Sequence, residues 1–119
     1  MNIKQRVLVF DAADIEAEST FWAKVVAGTI DKDDDWHSIR VGDEEPICVQ
    51  LAPDHQRPQW PDGLPQQLHL DLVVPELGPA QDEVIGYGAV LLKAADEPSA
   101  EHGFQVYADP AGHPFCLCW

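Results

Sequence analysis

The sequence predicts an α+β domain made of two similar β-α-β-β-β modules, and three observations predict it. An apolar strand pattern that runs into an acidic residue occurs twice, at residues 6–15 and 68–77, so the two copies are offset by 62 positions. Each copy is followed by a run with helical spacing that ends near a glycine. The two halves also end alike, with PICVQ at residues 46–50 and PFCLC at residues 114–118. Such a repeat indicates that one supersecondary unit is present twice.

Length and composition favour one folded domain rather than several. With 119 residues, of which 45% are hydrophobic, the chain has enough apolar side chains to form a core of its own. We therefore assign residues 1–119 to a single domain. Within it, we place module one at residues 1–52, a linker at 53–66 and module two at 67–119.

Module one begins with a strand and an amphipathic helix. The strand pattern covers residues 6–11. Apolar side chains then recur at helical spacing over residues 21–26, and Gly28 follows where a C-terminal cap is expected. The three strand-like runs that complete the module lie at residues 28–30, 36–41 and 46–52.

Module two repeats this order after the linker. The linker contains four of the ten prolines, and proline lacks the N–H that a central strand needs, so residues 53–66 are expected to connect the modules without joining a sheet. The second module's first strand covers residues 68–74, and its helical pattern starts near Leu77 and closes at Gly86 or Gly88. The remaining strand-like runs lie at residues 89–92, 103–108 and 114–119.

The charge balance restricts the classes of partner. Seven Lys and Arg residues against 21 Asp and Glu residues give a formal charge of −14. This charge repels phosphate backbones and anionic lipids, so we expect no nucleic acid and no membrane partner, whereas cationic partners are favoured. The N-terminus has no signal-peptide pattern, and the apolar runs are far shorter than the ~20 residues of a membrane span. We expect a cytoplasmic protein whose three cysteines are reduced thiols.

Alternation along the predicted strands divides their side chains between a face under the helices and an opposite face. In the run at residues 103–108, Phe104 and Val106 are predicted to lie under the helix. The opposite face collects aromatic, thiol, imidazole, guanidinium, carboxylate and amide groups: Trp36, Arg40, Cys48, Gln50, His69, Asp71, Gln105, Tyr107, Cys116 and Cys118. Such a mixture suits a ligand pocket, and a face buried in a dimer is the alternative.

Roles follow from the chemistry of these groups. The residues predicted to contact a ligand are Trp36, Arg40, Cys48, Gln50, Gln105, Tyr107 and Cys116. His69 and Asp71 are the candidate catalytic pair, because residues two apart on one strand share a face and a neighbouring carboxylate raises the basicity of an imidazole.

Two segments carry a resemblance to a known family. HLDLVV at residues 69–74 and FQVYADPAGHPFCL at residues 104–117, together with the strand and helix patterns before them, resemble the glyoxalase, bleomycin-resistance and dioxygenase (vicinal oxygen chelate) superfamily. The resemblance implies a glyoxalase-like fold, with a curved mixed sheet around a central cavity, and a homodimer.

The same resemblance bears on cofactors. In metal-dependent members it implies four ligands, usually His, Glu, His and Glu, which by position fall on Val7, Cys48, His69 and Cys116. Only His69 keeps the ligand type, so we expect no metal at a full family site. Zinc held by Cys48, His69 and Cys116 is the alternative, because thiolate and imidazole ligands suit that ion.

These expectations lead to one leading function and two alternatives. The leading function is a metal-free protein that binds a small organic molecule, cationic or aromatic, in the sheet cavity, as a resistance-type binding protein does. The first alternative is a metal-dependent lyase, isomerase or dioxygenase of the same superfamily. The second is a domain that binds another protein, with Trp60 and Trp119 as anchors.

Overall fold

The structure, a computed structural model, describes residues 1–119 and has the predicted α+β fold class. It divides into two compact units, Met1–His55 and Gln56–Trp119, and each holds one helix and one four-stranded mixed sheet. The elements of the first unit are β1 (Leu8–Ala12), α1 (Ile15–Val25), β2 (Thr29–Lys32), β3 (Trp36–Val41) and β4 (Glu44–Leu51). Those of the second unit are β5 (Leu70–Val73), α2 (Leu77–Tyr87), β6 (Val90–Lys93), β7 (Phe104–Ala108) and β8 (Pro114–Cys118).

Both sheets share one strand order and one pattern of pairing. The order is β1-β4-β3-β2 in the first sheet and β5-β8-β7-β6 in the second. In each module the first strand pairs in parallel with the last, and the other pairs are antiparallel. Val9 lies opposite Cys48 in the first sheet, and Asp71 lies opposite Cys116 in the second. The predicted duplication therefore extends to the register of the strands.

The helix α1 begins at a side-chain cap and packs an aromatic cluster on the first sheet. Asp14 accepts a hydrogen bond from the Ala17 N–H at 3.0 Å, which satisfies one of the donors that a first helical turn leaves free. Trp22 is fully buried, stacks on Phe10 of β1 with ring centroids 4.6 Å apart, and donates its indole N–H to Glu18 at 2.9 Å. The helical spacing read from the sequence thus identifies the face of α1 that meets the sheet.

A buried polar contact links each helix to its own sheet. In the first unit, Ser19 Oγ of α1 lies 2.7 Å from His37 Nδ1 of β3. In the second unit, Gln105 of β7 donates to Gln81 Oε1 of α2 at 2.7 Å, and the Tyr107 hydroxyl donates to the same oxygen at 3.0 Å. Because these groups are paired with one another, both sheets bury polar side chains under a helix without leaving them unsatisfied.

The predicted placement of Gln105 and Tyr107 on the face opposite the helix is wrong. In the register of β7 and β8, Gln105 lies opposite Leu117 and Tyr107 opposite Phe115, and both side chains are almost fully buried on the side of α2, at 3% and 0% exposure. Tyr107 also stacks on Phe115 with centroids 5.6 Å apart. The physical reason is that a phenol and an amide are stable under a helix when they find both an apolar neighbour and a hydrogen-bond partner.

The placement of Phe104 and Val106 under the helix is wrong for the same reason. Phe104 lies opposite Cys118 and Val106 opposite Cys116, so these four side chains share the face away from α2. Phe104 is half exposed there, while Val106 is buried. Hydrophobicity alone therefore assigned the faces of β7 in reverse.

Neither helix is suited to cross a bilayer. Each has 11 residues, which is too short, and neither has the apolar composition that a membrane-spanning helix needs.

The buried contact between β7 and α2 can be tested by removing one hydroxyl. Tyr107→Phe is expected to lower the free energy of unfolding by about 1–2 kcal/mol, because Gln81 and Gln105 lose a partner inside the core. Urea denaturation followed by circular dichroism measures the change. Tyr87→Phe is the matched control: its hydroxyl contacts Glu83 on the exposed side of α2, so a change within about 0.5 kcal/mol is expected. Equal effects of the two substitutions would contradict the buried placement of Tyr107.

Candidate functional site

Three side chains with potential ligand atoms converge on the face of the second sheet opposite α2, which we call the open face. His69 directly precedes β5 and Asp71 lies on it, so alternation puts both side chains on one face. Cys116 of β8 lies directly opposite Asp71. His69 Nε2 lies 3.5 Å from Asp71 Oδ1, and the ligand atoms of all three residues lie within 4.8 Å of one another. We call these three residues the donor cluster.

The donor cluster lies in a groove with a volume of about 620 Å³. This volume is within the range of small-molecule sites in proteins. The groove is completed by residues from β7, β8 and the segments beside them: His102, Gly103, Phe104, Cys118 and Trp119. An aromatic wall and a polar cluster thus face the same space.

The position of Trp119 depends on a glycine. The Gly103 N–H and C=O pair with the backbone of Trp119 at 3.0 and 3.1 Å, and the indole N–H donates to the Ala100 carbonyl at 3.0 Å. A Cβ atom at Gly103 would lie 2.5 Å from the indole ring, which is closer than atoms pack. Glycine at this position therefore lets the C-terminal tryptophan lie against β7 and form a wall of the groove.

The two thiols in the groove are protonated at neutral pH. Burial, reinforced by the hydrogen bond and the negative charge of Asp71, raises the pKa of Cys116 to about 12. Burial also raises the pKa of Cys118, and the charge of Asp71 adds to that effect. Because the thiolate is the reactive form, neither cysteine is set up as a nucleophile. The half-exposed carboxylate of Asp71 is the charged group that the donor cluster offers to a ligand.

The first sheet carries the remaining predicted ligand-binding residues on its corresponding face, opposite α1. Trp36 lies opposite Gln50, and Ser38 lies opposite Cys48. Trp36 donates its indole N–H to Ser38 Oγ at 3.2 Å, while Gln50 is exposed. The predicted alternation is therefore confirmed along β4 and over residues 36–39 of β3, and a shift of register between Ile39 and Val41 then interrupts it.

Arg40 and Cys48 are both held by acidic neighbours. The Arg40 guanidinium forms ion pairs with Asp31 at 2.5 Å and with Glu45 at 3.3 Å. The Cys48 thiol donates to Glu45 at 3.1 Å, and burial followed by this hydrogen bond raises the pKa of Cys48. These side chains satisfy one another, so a ligand would have to compete with existing contacts.

The four positions carried over from metal-dependent relatives do not form a metal site of the family type. Val7 precedes β1 and offers no ligand atom. Cys48 is a buried, protonated thiol that donates a hydrogen bond to Glu45. No carboxylate stands at the two positions where the relatives have glutamate, and Asp71, which contacts Cys116, lies outside the set of four. The full family ligand set does not fit this chain.

Alternation predicts that His69, Asp71 and Cys116 share a face, but it predicts neither the convergence of their ligand atoms nor the aromatic walls of the groove. It places Phe104 on the wrong face, and Trp119 is expected only as an anchor for another protein. A signal for Phe104 exists in the repeat: 68 positions separate Cys48 from Cys116, and the same separation joins Trp36 to Phe104. Since Trp36 belongs to the face opposite the helix, the repeat places Phe104 there as well.

Comparison with known proteins agrees with the fold. Residues 7–118 match the family model described as a glyoxalase-like domain. No curated protein matches the chain.

Solved structures share the fold at low sequence identity. The glyoxalase family protein from Enterococcus faecalis has a TM-score of 0.71 at 16% identity, with all of both chains covered. A glyoxalase-related enzyme from Fulvimarina pelagi has a TM-score of 0.70 at 18% identity, over 98% of this chain and 88% of that one. The fosfomycin resistance protein FosX from Listeria monocytogenes has a TM-score of 0.72 at 11% identity, over 99% of this chain and 91% of that one.

Proposed function

This chain belongs to the glyoxalase-like domain family, and we propose that it binds a small cationic organic molecule in the groove on the open face of its second sheet. In this role it sequesters the compound, as a resistance-type binding protein does, and needs no metal at the four family positions. The observation that carries the proposal is a half-exposed carboxylate, Asp71, in the same groove as two aromatic rings, Phe104 and Trp119.

The pairing of a carboxylate with aromatic walls favours a cation over a neutral or anionic ligand. The faces of aromatic rings attract positive charge, and the attraction strengthens when water is excluded. The Lys93 ammonium already lies 5.5 Å from the centroid of the Phe104 ring, so a ligand cation would be held by Asp71 and the Trp119 ring. A ligand with a cationic group and an apolar body would place the first at Asp71 and the second against the rings.

The charge of the whole chain supports the same class of ligand. A formal charge of −14 concentrates cations near the surface and disfavours anions. This contribution acts at long range and weakens as salt is added. The local contacts with Asp71 and the rings set the specificity.

A pair of probes of nearly equal shape tests the proposal. Benzamidinium carries a positive charge and benzamide does not, so the chain is expected to bind benzamidinium about tenfold more tightly in the presence of EDTA. Tryptophan fluorescence or NMR titration measures both affinities. Asp71→Asn is expected to abolish the preference because it removes the carboxylate and keeps the shape.

The control removes the same charge elsewhere. Asp82 lies on the exposed side of α2, so the Asp82→Asn variant is expected to retain the preference for benzamidinium. Equal affinity of the unaltered chain for the two probes would overturn the proposal, as would an unchanged preference in Asp71→Asn. A thermal-shift screen of cationic antibiotics and aromatic metabolites then identifies the ligand.

A second candidate function, an enzyme of the lyase or isomerase type, is favoured by the contact between His69 and Asp71. A neutral imidazole whose nitrogen lies 3.5 Å from a carboxylate can take a proton from a substrate while the carboxylate stabilises the resulting cation. Exchange of the α-protons of hydroxyacetone in D₂O, followed by NMR, tests this reaction. Catalysed exchange that His69→Ala removes would favour the enzyme, and no exchange above the uncatalysed rate would favour the binding protein.

A further inference from the structure

We propose that His69, Asp71 and Cys116 form a zinc site that lies wholly within the second unit. Its donors are one imidazole nitrogen, one carboxylate oxygen and one sulfur, and these atoms lie within 4.8 Å of one another. In a tetrahedral zinc site with bonds of about 2.0–2.3 Å, ligand atoms lie roughly 3.3–3.8 Å apart. His69 and Asp71 are about half exposed, so rotation of their side chains can close the remaining distance.

The backbone already positions the three donors. Asp71 and Cys116 face each other across the parallel pair β5 and β8. His69 precedes Asp71 by two residues, which puts it on the same face, one step along the strand direction. Two residues on paired strands and one residue directly before β5 thus define the site.

The chemistry of the donors selects the metal. Sulfur and imidazole ligands favour zinc over magnesium or calcium, which prefer six or more oxygen ligands. Three protein ligands leave the fourth position of a tetrahedral ion open toward the groove. When zinc binds, the S–H bond of Cys116 breaks, a sulfur–zinc bond forms and the proton leaves to the solvent.

This site differs from the four-ligand site of metal-dependent relatives. It needs neither Val7 nor Cys48, and it includes Asp71, which is not among the four family positions. It also goes beyond the proposed function, since zinc binding requires no organic ligand. Zinc and a cationic ligand would compete for the Asp71 carboxylate, so the two properties are measured separately.

Metal binding to the full-length chain, without an affinity tag, tests the proposal. The chain is stripped with EDTA, dialysed and titrated with Zn²⁺ in competition with a chromophoric chelator, and elemental analysis gives the stoichiometry. One zinc per chain is expected. Co²⁺ as a substitute is expected to give a near-ultraviolet charge-transfer band, which reports a bond between sulfur and the metal.

Five variants separate this donor set from other arrangements. His69→Ala, Asp71→Asn and Cys116→Ser are each expected to weaken zinc binding at least tenfold, and Cys116→Ser is expected to lose the cobalt band. Cys118→Ser is the matched control, because that thiol lines the same groove two residues away. Cys48→Ser tests the arrangement suggested by the family positions. Both are expected to bind zinc as the unaltered chain does.

Several outcomes would overturn the zinc site. The first is that less than half an equivalent of zinc binds at micromolar concentration. The second is that Cys116→Ser leaves the zinc affinity unchanged, and the third is that Cys48→Ser lowers the zinc affinity as much as Cys116→Ser does. Circular dichroism in EDTA confirms that each variant is folded. Because the benzamidinium titration is made in EDTA, its failure would leave zinc binding intact, and failure of zinc binding would leave the titration intact.

Discussion

Trp22→Ala is expected to lower the free energy of unfolding by about 3–5 kcal/mol, which is the cost of removing a fully buried aromatic side chain. The indole fills the space between α1 and the first sheet, stacks on Phe10 and makes an edge contact with Phe21. Its removal also leaves the buried Glu18 carboxylate without the indole N–H. Urea unfolding followed by circular dichroism measures the loss.

Two further variants make this result interpretable. Trp22→Phe keeps an aromatic ring and loses the N–H, so a smaller loss of about 1–3 kcal/mol is expected, and this variant serves if Trp22→Ala does not fold. Thr20 lies on the exposed side of α1, so Thr20→Ala is expected to change the free energy of unfolding by less than about 0.5 kcal/mol. A loss below about 1 kcal/mol in Trp22→Ala would contradict the packing described for this unit.

Cys116 in the folded, metal-free chain is expected to react with iodoacetamide at least about thirtyfold more slowly at pH 8 than in the chain unfolded by urea. Burial and Asp71 raise its pKa from 9.0 to about 12, so the reactive thiolate is about a thousandfold scarcer, and its higher nucleophilicity recovers only part of that factor. Mass spectrometry of the Cys118→Ser variant, in EDTA, isolates this thiol. Equal rates in the folded and unfolded chains would contradict the site geometry.

The same shift sets the sign of a pH effect on stability. Between pH 9 and pH 12 the folded chain keeps the Cys116 proton that the unfolded chain loses, so the free energy of unfolding falls as pH rises through this window. Below pH 9 both states hold the proton, and this group adds no pH dependence. Cys116→Ser is expected to show a shallower fall than the unaltered chain.

The duplication and the strand faces were predictable wherever the two halves could be compared. Alternation placed Phe10 under α1 and Trp36 with Cys48 on the opposite face, as the structure has them. It failed on β7, where Gln105 and Tyr107 alternate with apolar residues. The repeat contains the corrective signal, since 68 positions separate His37 from Gln105, and both are buried polar residues bonded to their helix.

Half of the candidate site was predictable as well. His69 and Asp71 share a face because they lie two residues apart, and this follows from local geometry. The contact of Asp71 with Cys116 depends on the register between strands that are far apart in the chain, and the Trp119 wall depends on Gly103. The homodimer and the cytoplasmic location expected from the sequence stay predictions.

Strand and helix periodicity and the internal repeat can be read from the amino-acid sequence, so the α+β class, the two modules and the set of groups available for chemistry are predictable. Alternation within a single strand does not reveal that β7 turns its polar side chains toward α2, or that a carboxylate, an imidazole and a thiol meet beside two aromatic rings. Those arrangements arise from pairing and packing between distant segments. Each depends on which partner satisfies a buried polar group, and no local pattern encodes that choice.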